Sequence, residues 1–243
     1  MKFLREWIGN WAISRLGQIA PPRANTPTMP SPDSTAKVLL HVGCGRTTIE
    51  SIPLSGFQHS DWTEVRLDVD ESVHPDIVGT MVNMEAVSSG FANALYSSHN
   101  IEHLYPHEVP LALAEFKRVL AEDGFLVLTC PDLQSLCQLV VDDKLLEPAY
   151  ISSAGAIAPL DILYGFRPAM AAGNLYMAHR CGFTLSTLMA TLKEAGFASI
   201  VGARRPEAFD LWVLASKSPR TEEAMQALAK DYLLPNYTAP QGD

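Results

Sequence analysis

The amino-acid sequence predicts an α/β fold: a doubly wound, mostly parallel sheet with a closing C-terminal hairpin and an inserted cap segment. Three observations carry this. β-rich runs alternate with helical stretches from residue 37 onward, the pattern of crossovers that build a parallel sheet. The last two β-rich runs follow one another with no helix between them, as the arms of a hairpin do. Before them lies an irregular stretch, Gln134–Gly182, broken by Pro148, Pro159 and Pro168.

In chain order, Phe3, Leu4, Trp7, Ile8, Trp11 and Leu16 recur at helical spacing with Arg5 and Arg15 toward the polar side, giving an amphipathic helix. Packing of that face on the same domain or on a second subunit is favoured over weak contact with a membrane surface. Pro21–Ser34, rich in Pro, Ser and Thr, reads as a linker, so residues 1–35 precede a main domain spanning 36–218. Its first strands are expected at Lys37–Val42, Glu64–Val69, Asn93–Ser98 and Gly124–Cys130. Val109, Leu113, Phe116 and Leu120 mark a helix between the last two, with Pro110 tolerable in its first turn. The inserted cap, 134–182, follows. Thr184 can cap a helix carrying Leu185, Leu188, Met189 and Leu192 on one face, with Lys193 in the last turn and Gly196 just beyond. Ala198–Val201 and Asp210–Ala215 form the hairpin. Residues 219–243 are a tail, with one short helix around Glu222–Leu233 and a polar end expected to fray.

A chain of 243 residues suits one large domain with an inserted segment, and 47% apolar with 19% charged content is that of an ordinary globular protein. With 27 acidic against 18 basic side chains the net charge is −9, which repels a polyanion. No basic stripe offsets it, so no nucleic-acid partner is expected. Cys44, Cys130, Cys137 and Cys181 form no CxxC pair, which reads as free thiols in a reducing compartment. Arg5, Glu6 and Arg15 interrupt any signal-peptide core, and no segment has the roughly 18 apolar residues of a membrane span. A cytoplasmic location is therefore expected; the oligomeric state is left open.

The chemistry starts at Val38–Arg46, VLLHVGCGR, where Gly43 and Gly45 directly follow a buried strand. Glycines there permit a tight turn and close approach of a ligand to the strand end. Asp68 and Asp70 end the next strand, at the distance along the chain where a carboxylate meets a ribose in such folds. Asp132 follows the fourth run, at the edge where open α/β sheets bind ligands. In or beside the inserted segment, Asp161, Tyr164, Arg167 and His179 are candidates to line a substrate mouth.

Together with LYSSHNIEHL at Leu95–Leu104, FKRVLAEDGFLVLTCPDL at Phe116–Leu133 and MAHRCGFT at Met177–Thr184, these runs resemble the class I S-adenosylmethionine-dependent methyltransferases, a Rossmann-like family, over roughly Lys37–Ser216. The resemblance implies methyl transfer from S-adenosyl-L-methionine to a small-molecule or saccharide-like acceptor. It implies that Val42, Gly43, Cys44 and Gly45 pass the methionine moiety, that Asp68 or Asp70 holds the ribose, and that Gly79–Val82, with Thr80 and Met81, border the adenine. Ser98 would face the methionine, and Asn100 the substrate, as would Asp132, Asp161 and Tyr164. His41, Thr47 and Thr80 depart from the family pattern.

An activated sulfonium needs a base only for a poorly nucleophilic acceptor; His99 is the first candidate and His179 the second. HNIEH at His99–His103 also matches an inverted zinc-peptidase motif, but that motif requires a helix, and here it follows a strand. No metal is therefore expected. Two other readings stay open: a cofactor-binding relative that has lost transfer, and a nicotinamide oxidoreductase. The last is disfavoured because Thr48 replaces the final glycine of GxGxxG.

Overall fold

A computed structural model describes residues 36–233. The expected N-terminal helix and linker, 1–35, and the polar end, 234–243, lie outside the described residues. Seven strands form one sheet: β1 (Lys37–Val42), β2 (Trp62–Asp68), β3 (Ile77–Val78), β4 (Ala92–Ser98), β5 (Leu120–Pro131), β8 (Ser199–Arg205) and β9 (Asp210–Ser216). Their order across the sheet is β3-β2-β1-β4-β5-β9-β8. All pairings from β3 to β5 are parallel, while β9 runs antiparallel to both β5 and β8. The doubly wound sheet and its closing hairpin are thus as the sequence predicts.

The alternation of β1 explains the two-faced core. Val38, Leu40 and Val42 face helix α1 (Val109–Val119), through Val109, Leu113 and Phe116, and helix α5 (Leu185–Glu194), through Leu188 and Leu192. Leu39 faces the other way, toward Phe57, Tyr96 and Trp212. Burial on both faces accounts for the near-continuous apolar run of this central strand. Thr184 caps α5 as its position predicts, accepting from Thr187 N at 3.4 Å, and Gly196 takes φ +86° just past the helix.

The second face departs from a plain strand–helix alternation. Between β1 and β2 there is no α-helix, only 3-10 turns at Ile49–Ser51 and Ser55–Gln58. Helix α6 (Glu222–Tyr232), in the segment read as a tail, lies on this face instead, burying Met225, Ala229 and Leu233 in the second core. Gly56 lets it dock: a Cβ there would collide with the Tyr232 ring.

The stretch expected as an inserted segment, 134–182, and the residue before it carry helix α2 (Leu133–Val141), a hairpin of β6 (Tyr150–Ser152) and β7 (Gly155–Ile157), and helices α3 (Pro159–Tyr164) and α4 (Arg167–Ala171). Leu136, Ile157 and Ile162 give it a small core of its own. No described helix is long and apolar enough to cross a membrane.

Candidate functional site

Strand order reverses between β1 and β4, and in open α/β sheets the crevice at that switch point, beyond the carboxyl ends of the strands, is where ligands bind. The glycine turn follows β1, and His99 with Asn100 follows β4, so both border this crevice.

Gly43 and Gly45 have φ +66° and +53°. They serve different ends. The space beside Gly43 is filled by Asn100, whose amide donates to Val42 O at 3.1 Å, Gly43 O at 3.2 Å and Ser98 O at 2.9 Å. Beside Gly45, among the described residues and apart from its chain neighbours, no atom lies within 4 Å of where a Cβ would stand. Gly45 therefore leaves its backbone uncovered at this turn.

Asp68 builds this turn. Its Oδ2 accepts Gly45 N at 2.8 Å and its Oδ1 accepts Asp70 N at 2.9 Å. Asp70 accepts Ser72 N at 2.9 Å and starts the 3-10 turn Glu71–Val73, and its carboxyl is held below the ordinary range chiefly by Ser72. Arg66 clamps the turns together, donating to Gly45 O at 2.6 Å, Thr47 O at 3.2 Å and His74 O at 3.0 Å. Sequence reasoning passed over Arg66; the available signal was a cation alternating with buried Val65 and Leu67 on a strand beside a glycine turn.

The remaining cofactor candidates lie around this frame. Val42 and Cys44 are buried, and desolvation pushes the Cys44 thiol up to about 11. The loop after β3 is tied to β2 by Gly79 N donating to Asp68 O at 2.9 Å, and Thr80 bridges Asn83. Met81 packs on the core. Arg118 fixes the next stretch through Met84 O at 2.9 Å and Val87 O at 2.8 Å, while Glu115 accepts Met84 N. The Ser98 hydroxyl is engaged with Thr129 Oγ1 at 2.7 Å. His41 points into the second core, 2.7 Å from Glu64 Oε1 and edge-on to Tyr96.

A cavity of about 270 Å³ lies at the same edge, with His99 and Pro131 at the ends of β4 and β5, Tyr150, Asp161, Phe166 and His179 from the inserted segment, and Phe209 from the β8–β9 turn. The sequence candidates His99, Asp161 and His179 thus share one chamber. Asp161 shapes its wall: it accepts Arg167 Nε at 2.7 Å and Ala158 N at 3.0 Å, and Arg167 holds its carboxyl below the ordinary range. Tyr164 stands 63% exposed, its carbonyl accepting His179 N. Asp132 is fully buried away from the chamber lining, capping α2 through Gln134 N at 3.0 Å and paired with Arg204 at 2.7 Å.

HNIEH does not form a helix. His99 sits in the left-handed region at φ +54°, and Ile101–His103 is a single 3-10 turn. Its carbonyls are bound by the inserted segment: Glu102 O accepts Arg180 N at 2.7 Å and Cys181 N at 3.2 Å. The Glu102 carboxylate is 1% exposed, and neither oxygen has a hydrogen-bond partner among the described residues. His99 Nδ1 stands 3.4 Å from Glu102 Oε1. Desolvation works against the charge of both groups, most of all that of Glu102, since the His99 side chain is half exposed; their pairing prevails, raising the His99 pKa and lowering that of Glu102, with His103 and His179 adding to the latter. Desolvation lowers the pKa of His179.

The seven-stranded mixed sheet, with its antiparallel C-terminal pair, is a Rossmann-like arrangement. No protein-family profile matches the chain, and no curated protein matches it in sequence. Among solved structures it is similar to a SAM-dependent methyltransferase from Archaeoglobus fulgidus, at 13% identity and TM-score 0.49, covering 75% of this chain and 87% of that one. It is similar also to an S-adenosylmethionine-dependent methyltransferase from Mesorhizobium loti, at 17% identity and TM-score 0.47, covering 76% and 93%. A third is the 1,6-didemethyltoxoflavin-N1-methyltransferase of Burkholderia thailandensis with bound S-adenosylhomocysteine, at 15% identity and TM-score 0.47, covering 76% and 72%.

Proposed function

We propose that the protein is an S-adenosylmethionine-dependent methyltransferase acting on a small-molecule or saccharide-like acceptor held beneath the inserted segment. The observation that carries this reading is the glycine turn at the switch point, open at Gly45, closed by Asp68, and followed by no α-helix. A nicotinamide dinucleotide sets its pyrophosphate on a helix N-terminus, whereas this turn runs into a three-residue 3-10 turn containing Glu50. S-Adenosylmethionine carries no phosphate and needs no such anion site.

The residues present fit the group. Bare backbone at Gly45 suits the methionine portion, the carboxylates of Asp68 and Asp70 suit a ribose diol, and the tethered loop at Thr80 and Met81 suits the adenine. When bound, the cofactor supplies a methyl group already activated on a sulfonium. The chain's own tasks are then to orient the acceptor, exclude water and, for a poor nucleophile, remove a proton. The inserted segment supplies the walls and roof of the chamber. His99, backed by Glu102, is placed to take the proton. Calorimetry with S-adenosylhomocysteine tests the cofactor half, and a metabolite panel scored for methylated product tests transfer. One-to-one binding without product from any acceptor would favour the non-catalytic reading.

A further inference from the structure

We infer that Glu102, His103 and His179 form a binding site for a single divalent transition-metal ion of the zinc type, open on its fourth side to the chamber. One ligand atom from each of the three lies within 4.8 Å of the others. Donor atoms at about 2.1 Å from a tetrahedral ion stand roughly 3.4 Å apart, so closing the set asks for little more than about 1 Å of movement.

The tautomers are set for it. His103 Nδ1 lies 3.2 Å from Ala178 O, and His179 Nδ1 lies 2.7 Å from Ile162 O. A carbonyl only accepts, so each Nδ1 donates, and in the neutral ring the lone pair then falls on Nε2. That is how proteins orient histidines that bind metals. The rings meet edge to face with centroids 4.9 Å apart.

Glu102 is the independent sign that a ligand belongs here. Its carboxylate is almost wholly buried, yet no N–H or O–H donor among the described residues satisfies either oxygen. A buried carboxylate is normally hydrogen-bonded as well as paired; Glu102 has His99 at 3.4 Å but no hydrogen bond to either oxygen among the described residues, a deficit that a metal ion would fill. His99 approaches one oxygen at 3.4 Å, in the position of an outer partner that steadies a ligating carboxylate.

Two imidazoles and one carboxylate match the borderline ions, zinc above all, rather than magnesium or calcium, which prefer oxygen alone. Three protein ligands with an open position are the pattern of a site that takes a further ligand, here an oxygen or nitrogen donor entering the chamber. The expectation of no metal rested on HNIEH not being helical. That holds for His99 with His103, but the fold replaces His99 with His179, from a distant part of the chain.

The test uses the full chain, stripped with a chelator, and inorganic zinc and cobalt salts. Calorimetry is expected to find one zinc per chain, and the cobalt form to give visible bands of nitrogen and oxygen coordination without sulfur-to-metal charge transfer. His179→Ala and Glu102→Gln are each expected to weaken zinc at least tenfold, with Cys137→Ser leaving it unchanged. Absence of stoichiometric zinc or cobalt binding to the wild-type chain overturns the site, whatever the variants do. So does binding carried by cysteine, or binding that survives both His103→Ala and His179→Ala in folded protein. The inference stands apart from the cofactor reading, since S-adenosylhomocysteine binding is scored separately.

Discussion

Gly43→Ala is the perturbation whose outcome the structure fixes most tightly. Residue 43 holds φ +66°, and an alanine there costs about 1–2 kcal/mol in the left-handed region. Its Cβ would also occupy the place of the Asn100 amide, which donates to Val42 O and Gly43 O. Losing those two bonds at about 1 kcal/mol each brings the total to roughly 3–4 kcal/mol. For a domain of this size that lowers Tm by roughly 6–16 °C. Gly45→Ala, at φ +53° with open space beside it, carries the backbone cost alone, about 1–2 kcal/mol. Its larger effect falls on S-adenosylhomocysteine affinity, because the new methyl enters the crevice. Thermal and urea unfolding of the single variants and of Gly43→Ala with Asn100→Ala measure this as a double-mutant cycle. Removing the Asn100 side chain should cut the cost of the alanine to its backbone part. An identical cost in both backgrounds would refute the claim that Gly43 is a glycine in order to admit Asn100.

Further outcomes follow from the same geometry. Asp68→Ala, losing the bonds from Gly45 N and Asp70 N, should destabilise the fold by about 2 kcal/mol and weaken S-adenosylhomocysteine, whereas Asp70→Ala, losing only the surface cap on Ser72 N, should destabilise it less; equal losses in urea titrations would contradict this. Asp132→Ala removes a buried partner of Arg204, and because Arg204 is 31% exposed and can turn to water, about 2–3 kcal/mol is expected, at the low end for a broken buried pair, with S-adenosylhomocysteine affinity of the folded protein unchanged. Arg167 depresses the Asp161 pKa, so the stabilisation from this pair is present above the ordinary carboxylate value near pH 4 and is lost as pH falls through the lowered one. Wild type should therefore exceed Asp161→Asn in denaturation at pH 7, with the gap closing below about pH 4; a gap that widens on acidification would rule the assignment out. Tyr164→Ala should leave S-adenosylhomocysteine binding within twofold while altering turnover of an acceptor that enters beside α3, a split read from binding and steady-state kinetics together.

The parallel sheet and its capped helix were readable because long periodic runs such as 37–42 and 185–194 dictate burial locally. β3 was not, since two residues carry no period. The replacement of a crossover helix by α6 depends on Gly56 meeting Tyr232, a contact between residues far apart in sequence. The glycine turn and Asp68 were legible as neighbours at the ends of β1 and β2, but not the division of labour that gives Gly43 to Asn100 and Gly45 to open space. Asp132 read as a ligand residue because it stands at a strand end. The competing signal, an aspartate just before the apolar run Leu133–Val141, marks an N-cap, which is its place in the fold. The cluster of Glu102, His103 and His179 was invisible because half of its geometry comes from how the inserted segment folds back on the β4 edge.

The central claim, that the crevice between β1 and β4 receives S-adenosylmethionine, is tested most directly by titrating S-adenosylhomocysteine and, separately, NADH into the full chain in a calorimeter. The account predicts a one-to-one isotherm for S-adenosylhomocysteine, weakened by Gly45→Ala, and no heat from NADH. Saturable NADH binding, or a wild-type chain that takes up no S-adenosylhomocysteine, would contradict it.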